Sequence, residues 1–345
     1  MLDKNEIIMK NIVTLLCIVG AITLNAQQEA QFTQYYSNPY FFNPAAGGLS
    51  KTIEADVGYR RQWIGLEGSP QTFYGTVHSE IHFDKRDKVL NEFNTDEESI
   101  YSTPKNTVGA NKHVIGGRVL FDQIGPFQKS SVMGSYAYHL RFSNKTMISL
   151  GVSAGWSNMG INSSRVVLLQ QDDMKYDNFL AQNGNQSIFN MDAGIAFYGE
   201  RFQLGISSTQ LLKNDVKIDN ITTQSSYGRH WFVYGMYDID ITVPFLSIEP
   251  HFMGQVVGNA PFSFTIGSRI HYDHKYWLNL SYRVQDAISI GVGMNFAKNF
   301  RFGYSYDIAI GKVQRPFNYV HELNLGFTIG KNRDVEKELQ DDEKL

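Results

Sequence analysis

The chain has 345 residues, a formal net charge of −3, 13% aromatic residues, 30 glycines and 9 prolines. So weak a net charge excludes a general basic field for nucleic acid, and no nucleic-acid partner is expected. A single cysteine, Cys17, excludes a disulfide framework.

The amino end reads as an export signal. Lys10 supplies a positive region, Ile12 to Leu24 an apolar core, and Leu24-Asn25-Ala26 a cleavage site, so residues 1–26 are expected to be removed. The apolar run is shorter than the roughly 20 residues of a spanning helix. Leu16 precedes Cys17 where a lipoprotein signal wants a small residue, which argues against lipidation. The mature chain then has no cysteine, and its stability must come from hydrogen bonding and packing.

Residues 27–51 follow, with "QFTQYYSNPYFFNPAAGG" from Gln31 to Gly48. The stretch has neither a helical nor a strand period. Pro39 and Pro44 remove backbone donors and favour extended or turn conformations. Disordered segments are poor in aromatics, so this one is expected to be packed against something.

From residue 52 to 330 the pattern changes to alternation. In Met147 to Trp156, Ile148, Leu150, Val152, Ala154 and Trp156 share one face, and Ser149, Gly151, Ser153 and Gly155 the other. Ser131–Leu140, Ala287–Phe296 and Phe300–Ile308 repeat the pattern. Period-2 alternation puts successive side chains on opposite faces of a strand. The second face is Gly, Ser, Thr and Asn rather than the Lys and Glu of a water-exposed sheet, which suits a crowded or watery lumen. Apolar faces often end in aromatics, as at membrane interfaces.

The sequence therefore predicts an all-β transmembrane antiparallel barrel of about 14 strands. The segments are 52–63, 72–83, 112–122, 128–142, 145–157, 187–198, 201–212, 228–240, 245–257, 261–273, 275–284, 286–297, 299–309 and 319–330. Their lengths match the roughly 9–11 residues of a tilted membrane strand. An even count returns both ends to the periplasm. The N-terminal segment is then expected to pack in the lumen or at its periplasmic mouth, as a plug or part of a docking site.

The turns test the count. Tight turns at Ser143-Asn144, Gly199-Glu200, His274 and Lys298 fall on one side. Longer connections at 158–186, 213–227 and 310–318 fall on the other, as expected of outer loops. The long polar connection 84–111 breaks this parity, and a charged tail, 331–345, is expected to hang into the periplasm.

No motif compels an enzyme. Gly151-Val152-Ser153-Ala154-Gly155 fits G-x-S-x-G, but a hydrolase elbow needs a strand-to-helix turn and Ser153 is expected mid-strand. His78, Glu80 and His82 share a strand face, yet the two His are about 13 Å apart along it, too far for one ion. His271, Asp273 and His274 read as turn residues. No catalytic residue, metal or cofactor is assigned. In the first strand, Glu54, Asp56, Arg60 and Gln62 face inward, which suggests a cross-lumen ionic network or something bound inside.

Several of these stretches together resemble one family. The aromatic segment carries Asn38-Pro39 and Asn43-Pro44-Ala45, followed by Tyr59-Arg60-Arg61-Gln62-Trp63 and by Pro70 and Thr72. Near the other end stand Tyr282, Arg283 and Asp286, then Gly303-Tyr304-Ser305-Tyr306-Asp307, then His321-Glu322. In this order they resemble the PorP/SprF family of Bacteroidota outer-membrane proteins. The resemblance implies a non-enzymatic part in type IX secretion and gliding, with these residues as structural or docking positions. It implies as partners the outer-membrane lipid and a secreted cargo such as a large adhesin, periplasmic ring proteins of the core apparatus, or both. A passive diffusion channel and an outer-membrane hydrolase are the other readings.

Overall fold

In the computed structural model, the described residues are 31–50, 52–81, 106, 108–166, 185–212, 215–218, 221–226, 228–243, 245–257, 262–296, 299–310 and 319–329. The signal region, most of 84–111 and the tail lie outside them.

Alternation becomes strand as the sequence predicts. The first seven strands are β1 (Ile53–Gln62), β2 (Gln71–Ile81), β3 (Lys112–Ile124), β4 (Phe127–Ser143), β5 (Thr146–Ile161), β6 (Asn185–Gly199) and β7 (Phe202–Thr209). A small hairpin, β8 (Asp215–Ile218) with β9 (Ile221–Ser226), stands apart from the main sheet. Next come β10 (His230–Tyr237), a two-residue β11 (Ile239–Asp240), β12 (Leu246–Val257) and β13 (Ser263–Tyr272). The last four are β14 (Tyr276–Arg283), β15 (Ala287–Phe296), β16 (Phe300–Ala309) and β17 (Tyr319–Ile329).

Each predicted segment has its strand. Neighbours pair antiparallel in chain order, β1 pairs with β17, and β10 pairs with both β7 and β12. The 14 long strands thus close on themselves, leaving no free edge. Two details differ from the sequence reading. Residues 158–161 and 185–186 extend β5 and β6 rather than forming loop, and the 213–227 connection carries the β8–β9 hairpin.

The tight β4–β5, β6–β7, β13–β14 and β15–β16 connections define one end, called the turn end. The strand ends joined by the β1–β2, β5–β6, β7–β10 and β16–β17 connections are at the other, the loop end. Not every connection there is long, since β3 and β4 are joined by Gly125-Pro126 alone, with Gly125 at φ 58°. The β2–β3 connection leaves and returns at the turn end, so it stands as the long exception among the short turns there. Of it, Asn106 docks on the rim, donating to the Gly199 and Phe202 carbonyls at 3.0 and 3.3 Å.

The outer wall is apolar. Val57, Ile115, Val132, Leu150, Ile206 and Leu280 are exposed around its middle. Exposed rings border this belt at both ends: Phe142, Phe245, Tyr272, Tyr276 and Phe300 at the turn end, Tyr59, Phe73, Trp156, Tyr282 and Tyr319 at the loop end. An apolar band between two aromatic girdles is the surface a lipid bilayer selects.

The lumen is the core. Fully buried groups there include polar side chains such as Thr33, Asn43, Asp192, Asn279 and Glu322. This inversion of a soluble protein follows from alternation in a closed wall, where the polar face has nowhere to point but inward.

Candidate functional site

Residues 32–36 and 40–50 are buried, as is Asn38, and they thread the lumen. Each Asn-Pro pair opens one turn of 3-10 helix, Pro39–Phe41 and Pro44–Ala46. Proline suits the first helical position because its missing N–H has no intrahelical partner there. Asn43 caps the second turn, its Oδ1 accepting from the Ala45 amide at 2.9 Å, while its Nδ2 donates to the Ile195 carbonyl at 3.0 Å. Asn38 instead reaches the wall, donating to Thr76 Oγ1 at 2.9 Å. The turns let a short segment fill a wide space, and they place its rings against each other. Phe32 meets Phe41 and Tyr74 edge-on at 4.9 and 4.8 Å, and Phe42 meets Phe232 at 5.2 Å. Each such pair contributes about 0.5–1.5 kcal/mol beyond its buried area.

The segment spans most of the barrel's height. Ser50 adjoins the turn-end start of β1, where its Oγ donates to Glu54. Thr33 lies beside Arg60, six residues beyond Glu54 along β1, or about 20 Å of strand. The chain therefore runs from near the loop end to the turn end before the wall begins.

At the loop end it is held by an ionic clamp. The Arg60 guanidinium pairs with Glu322 at 2.8 Å and Asp307 at 3.3 Å, all three nearly inaccessible. Arg283 approaches Asp307 at 3.6 Å and pairs with Asp286 in the following turn at 3.0 Å. The carboxylates also bind the segment. The Thr33 and Gln34 amides donate to the two Glu322 oxygens at 2.8 and 2.9 Å, and Thr33 Oγ1 donates to Asp307 at 2.7 Å. Buried charges persist where paired and hydrogen-bonded this fully.

Two more cations grip the middle. Arg118 donates to the Phe41 carbonyl, lies 5.1 Å from that ring's centre, and pairs with Asp192 at 2.8 Å. Arg269 sits 4.5 Å over the Tyr36 ring and pairs with Glu249. Tyr35 reaches His251 Nδ1 at 2.7 Å, and Ser207 donates to the Phe42 carbonyl at 2.8 Å. Lumen glycines make room. A Cβ on Gly151 would overlap the Pro44–Ala45 backbone, one on Gly194 the Asn43 side chain, and one on Gly303 the Gln34 side chain.

Below the segment, a cavity of about 190 Å³ borders the turn end. Glu54, Asp56, Glu249, Arg269, His271 and Arg301 line it, and Arg301 pairs with Glu54 and Asp56 at 3.3 and 3.1 Å.

Of the residues singled out in the sequence, Asn38, Pro39, Asn43 and Pro44 lie in the threaded segment, and Arg60, Arg283, Asp307 and Glu322 form the clamp. Gln62 ends β1 on the same inward face, Asp286 sits in the β14–β15 turn, and Trp63 begins the 63–70 loop at φ 53°. Tyr59, Tyr282, Tyr304, Tyr306 and His321 face outward instead, with Tyr304 Oη 2.8 Å from His321 Nδ1. Nothing local in the sequence marks Arg118 or Arg269, whose partners Asp192 and Glu249 stand on other strands. Ser153 lies mid-strand, donating to Asp192 at 3.0 Å. His78 Nδ1 accepts from the Gly48 amide at 3.0 Å, and His82 is outside the described residues.

A closed, antiparallel 14-strand wall with an apolar belt, two aromatic girdles and an internally threaded segment defines a plugged outer-membrane barrel. The family model described as type IX secretion system membrane protein PorP/SprF matches residues 24–327, and the chain belongs to that family. No curated protein matches it. Similar solved structures include the Acinetobacter baumannii outer membrane protein Omp33, with TM-score 0.41 and 9% identity over 81% of this chain and 99% of that one. The Ralstonia pickettii toluene transporter TbuX gives 0.43 and 11% over 84% and 92%. A Pseudomonas aeruginosa FadL homologue gives 0.45 and 8% over 84% and 92%.

Proposed function

We propose that this type IX secretion component is a sealed anchor, not a pore: it holds a secreted partner, such as a large adhesin, at the cell surface. The observation that carries this reading is the threaded lumen. A passive channel needs a continuous water path, and here rings, clamp and wall glycines fit one another through the middle of the barrel. With the lumen occupied, specific contact falls to the ends. The loop end, with the β8–β9 hairpin and the 310–318 connection, would face the cell exterior and meet cargo. The turn end would face the periplasm, following the usual placement of short turns.

A second reading, contact with periplasmic ring proteins, is favoured by the polar cavity at the turn end. Purification from the native membrane in mild detergent, with mass spectrometry of what accompanies the protein, separates the two. A large secreted adhesin supports the anchor, and ring components without cargo support the core apparatus. Recovery of the protein alone, with steady conductance in a planar bilayer, contradicts both.

A further inference from the structure

Two outward-facing rows cross the wall near the loop end. Strand register places Tyr59, Phe73, Phe121 and Ser130 side by side on β1 to β4. One step nearer the loops it places Arg61, Gln71 and Gln123 side by side on β1 to β3. Three rings followed by a serine leave a depression, and a groove of about 560 Å³ lies there, lined by Tyr59, Phe73, Phe121, Gln71, Gln123 and Ser130 among others.

Its chemistry is amphipathic. Phe73 and Phe121 form a ring pair 6.4 Å apart, both exposed. Above them Gln71 Nε2 donates to Gln123 Oε1 at 2.8 Å, which leaves the Gln71 oxygen free to accept and amide hydrogens free to donate. Beside Gln71 stands Arg61, exposed on the membrane side; among the described residues it has no ion pair or hydrogen bond. A guanidinium on the lipid-facing wall needs an anion or water, and at this girdle the available anions are lipid headgroups.

We propose that this groove binds the phosphorylated sugar headgroup of a glycolipid in the loop-side leaflet. The rings stack on sugar faces, the glutamines meet hydroxyls, and Arg61 takes a phosphate in its two-pronged geometry. Arg61 and Ser130 are three strand spacings apart and two residues offset, about 16 Å, the reach of a phosphorylated disaccharide. The assignment of the loop-side leaflet to the cell exterior rests on the sidedness proposed above. The binding itself does not.

The test uses the full mature protein in phosphatidylcholine nanodiscs doped with bisphosphoryl lipid A or with its dephosphorylated form. Native mass spectrometry reads the lipid that stays bound. Wild type should retain lipid A and prefer the phosphorylated form. Ser130→Trp, which fills the groove, should lower retention of both forms about tenfold or more. Arg61→Gln should keep binding but lose about tenfold of the preference for phosphate. Both residues face outward, and heat-dependent gel migration checks that each variant is folded. Equal retention by wild type and both folded variants would overturn the proposal. So would no retention by wild type, with Gln128→Cys, at a further residue of the groove, crosslinking in native membranes only to protein. Because nanodiscs expose both faces, reversed sidedness leaves this result unchanged.

Discussion

The two ends of the lumen carry similar charges to different effect. At the loop end, Arg60, Asp307 and Glu322 are almost wholly buried and bind the threaded segment directly. At the turn end, Arg301 pairs with Glu54 and Asp56 across the wall and borders a cavity. The same residue types thus act as a lock in one place and as a polar mouth in the other. What decides is whether the segment's backbone lies within reach, because a buried carboxylate with free lone pairs demands donors and the Thr33 and Gln34 amides supply them.

Removing residues 32–46 takes away what the loop-end lock holds. The barrel wall remains closed through its own strand pairing, so the variant should insert and conduct ions where the intact protein does not, as single-channel recording would show. Arg60→Ala leaves two buried carboxylates facing each other. It should destabilise the folded barrel by about 3–5 kcal/mol, read from the temperature at which the compact gel band is lost. Gly151→Val drives side-chain atoms into the Pro44–Ala45 backbone and should cost about 1–3 kcal/mol, with protease access to the segment as the second readout. Asn43→Ala loses a cap and a wall hydrogen bond, an effect of about 1–2 kcal/mol. At the turn-end rim, Arg201 and Asp240 pair at 2.7 Å while more than half exposed, so Arg201→Ala should change stability by less than about 1 kcal/mol.

Much of this architecture is legible in the sequence because closure imposes alternation. In β5, the serines and glycines at 149, 151, 153 and 155 face inward, and Leu150, Val152 and Trp156 face out. The packed state of residues 32–50 is also legible, since so many rings have no stable place in water. The polar partners are not. Arg60 and Glu322 are 262 residues apart, and only the pairing of β1 with β17 brings them together. Arg118 on β3 and Asp192 on β6 are separated by two intervening strands and meet only because the closed wall turns both inward. Glycine in a strand reads as a gap, and nothing local says that the gap at 194 fits Asn43. The β8–β9 hairpin has only a weak local signal, a four-residue alternation at Asp215–Ile218 followed by Asp219-Asn220 and a polar run without alternation. The outward groove had none, because it is a row across four strands rather than a run along one.

If residues 32–50 seal the lumen, single-channel recording of the purified intact protein should be silent, while the variant lacking residues 32–46 conducts. Steady, equal conductance from both would show an open lumen and make the protein a diffusion channel.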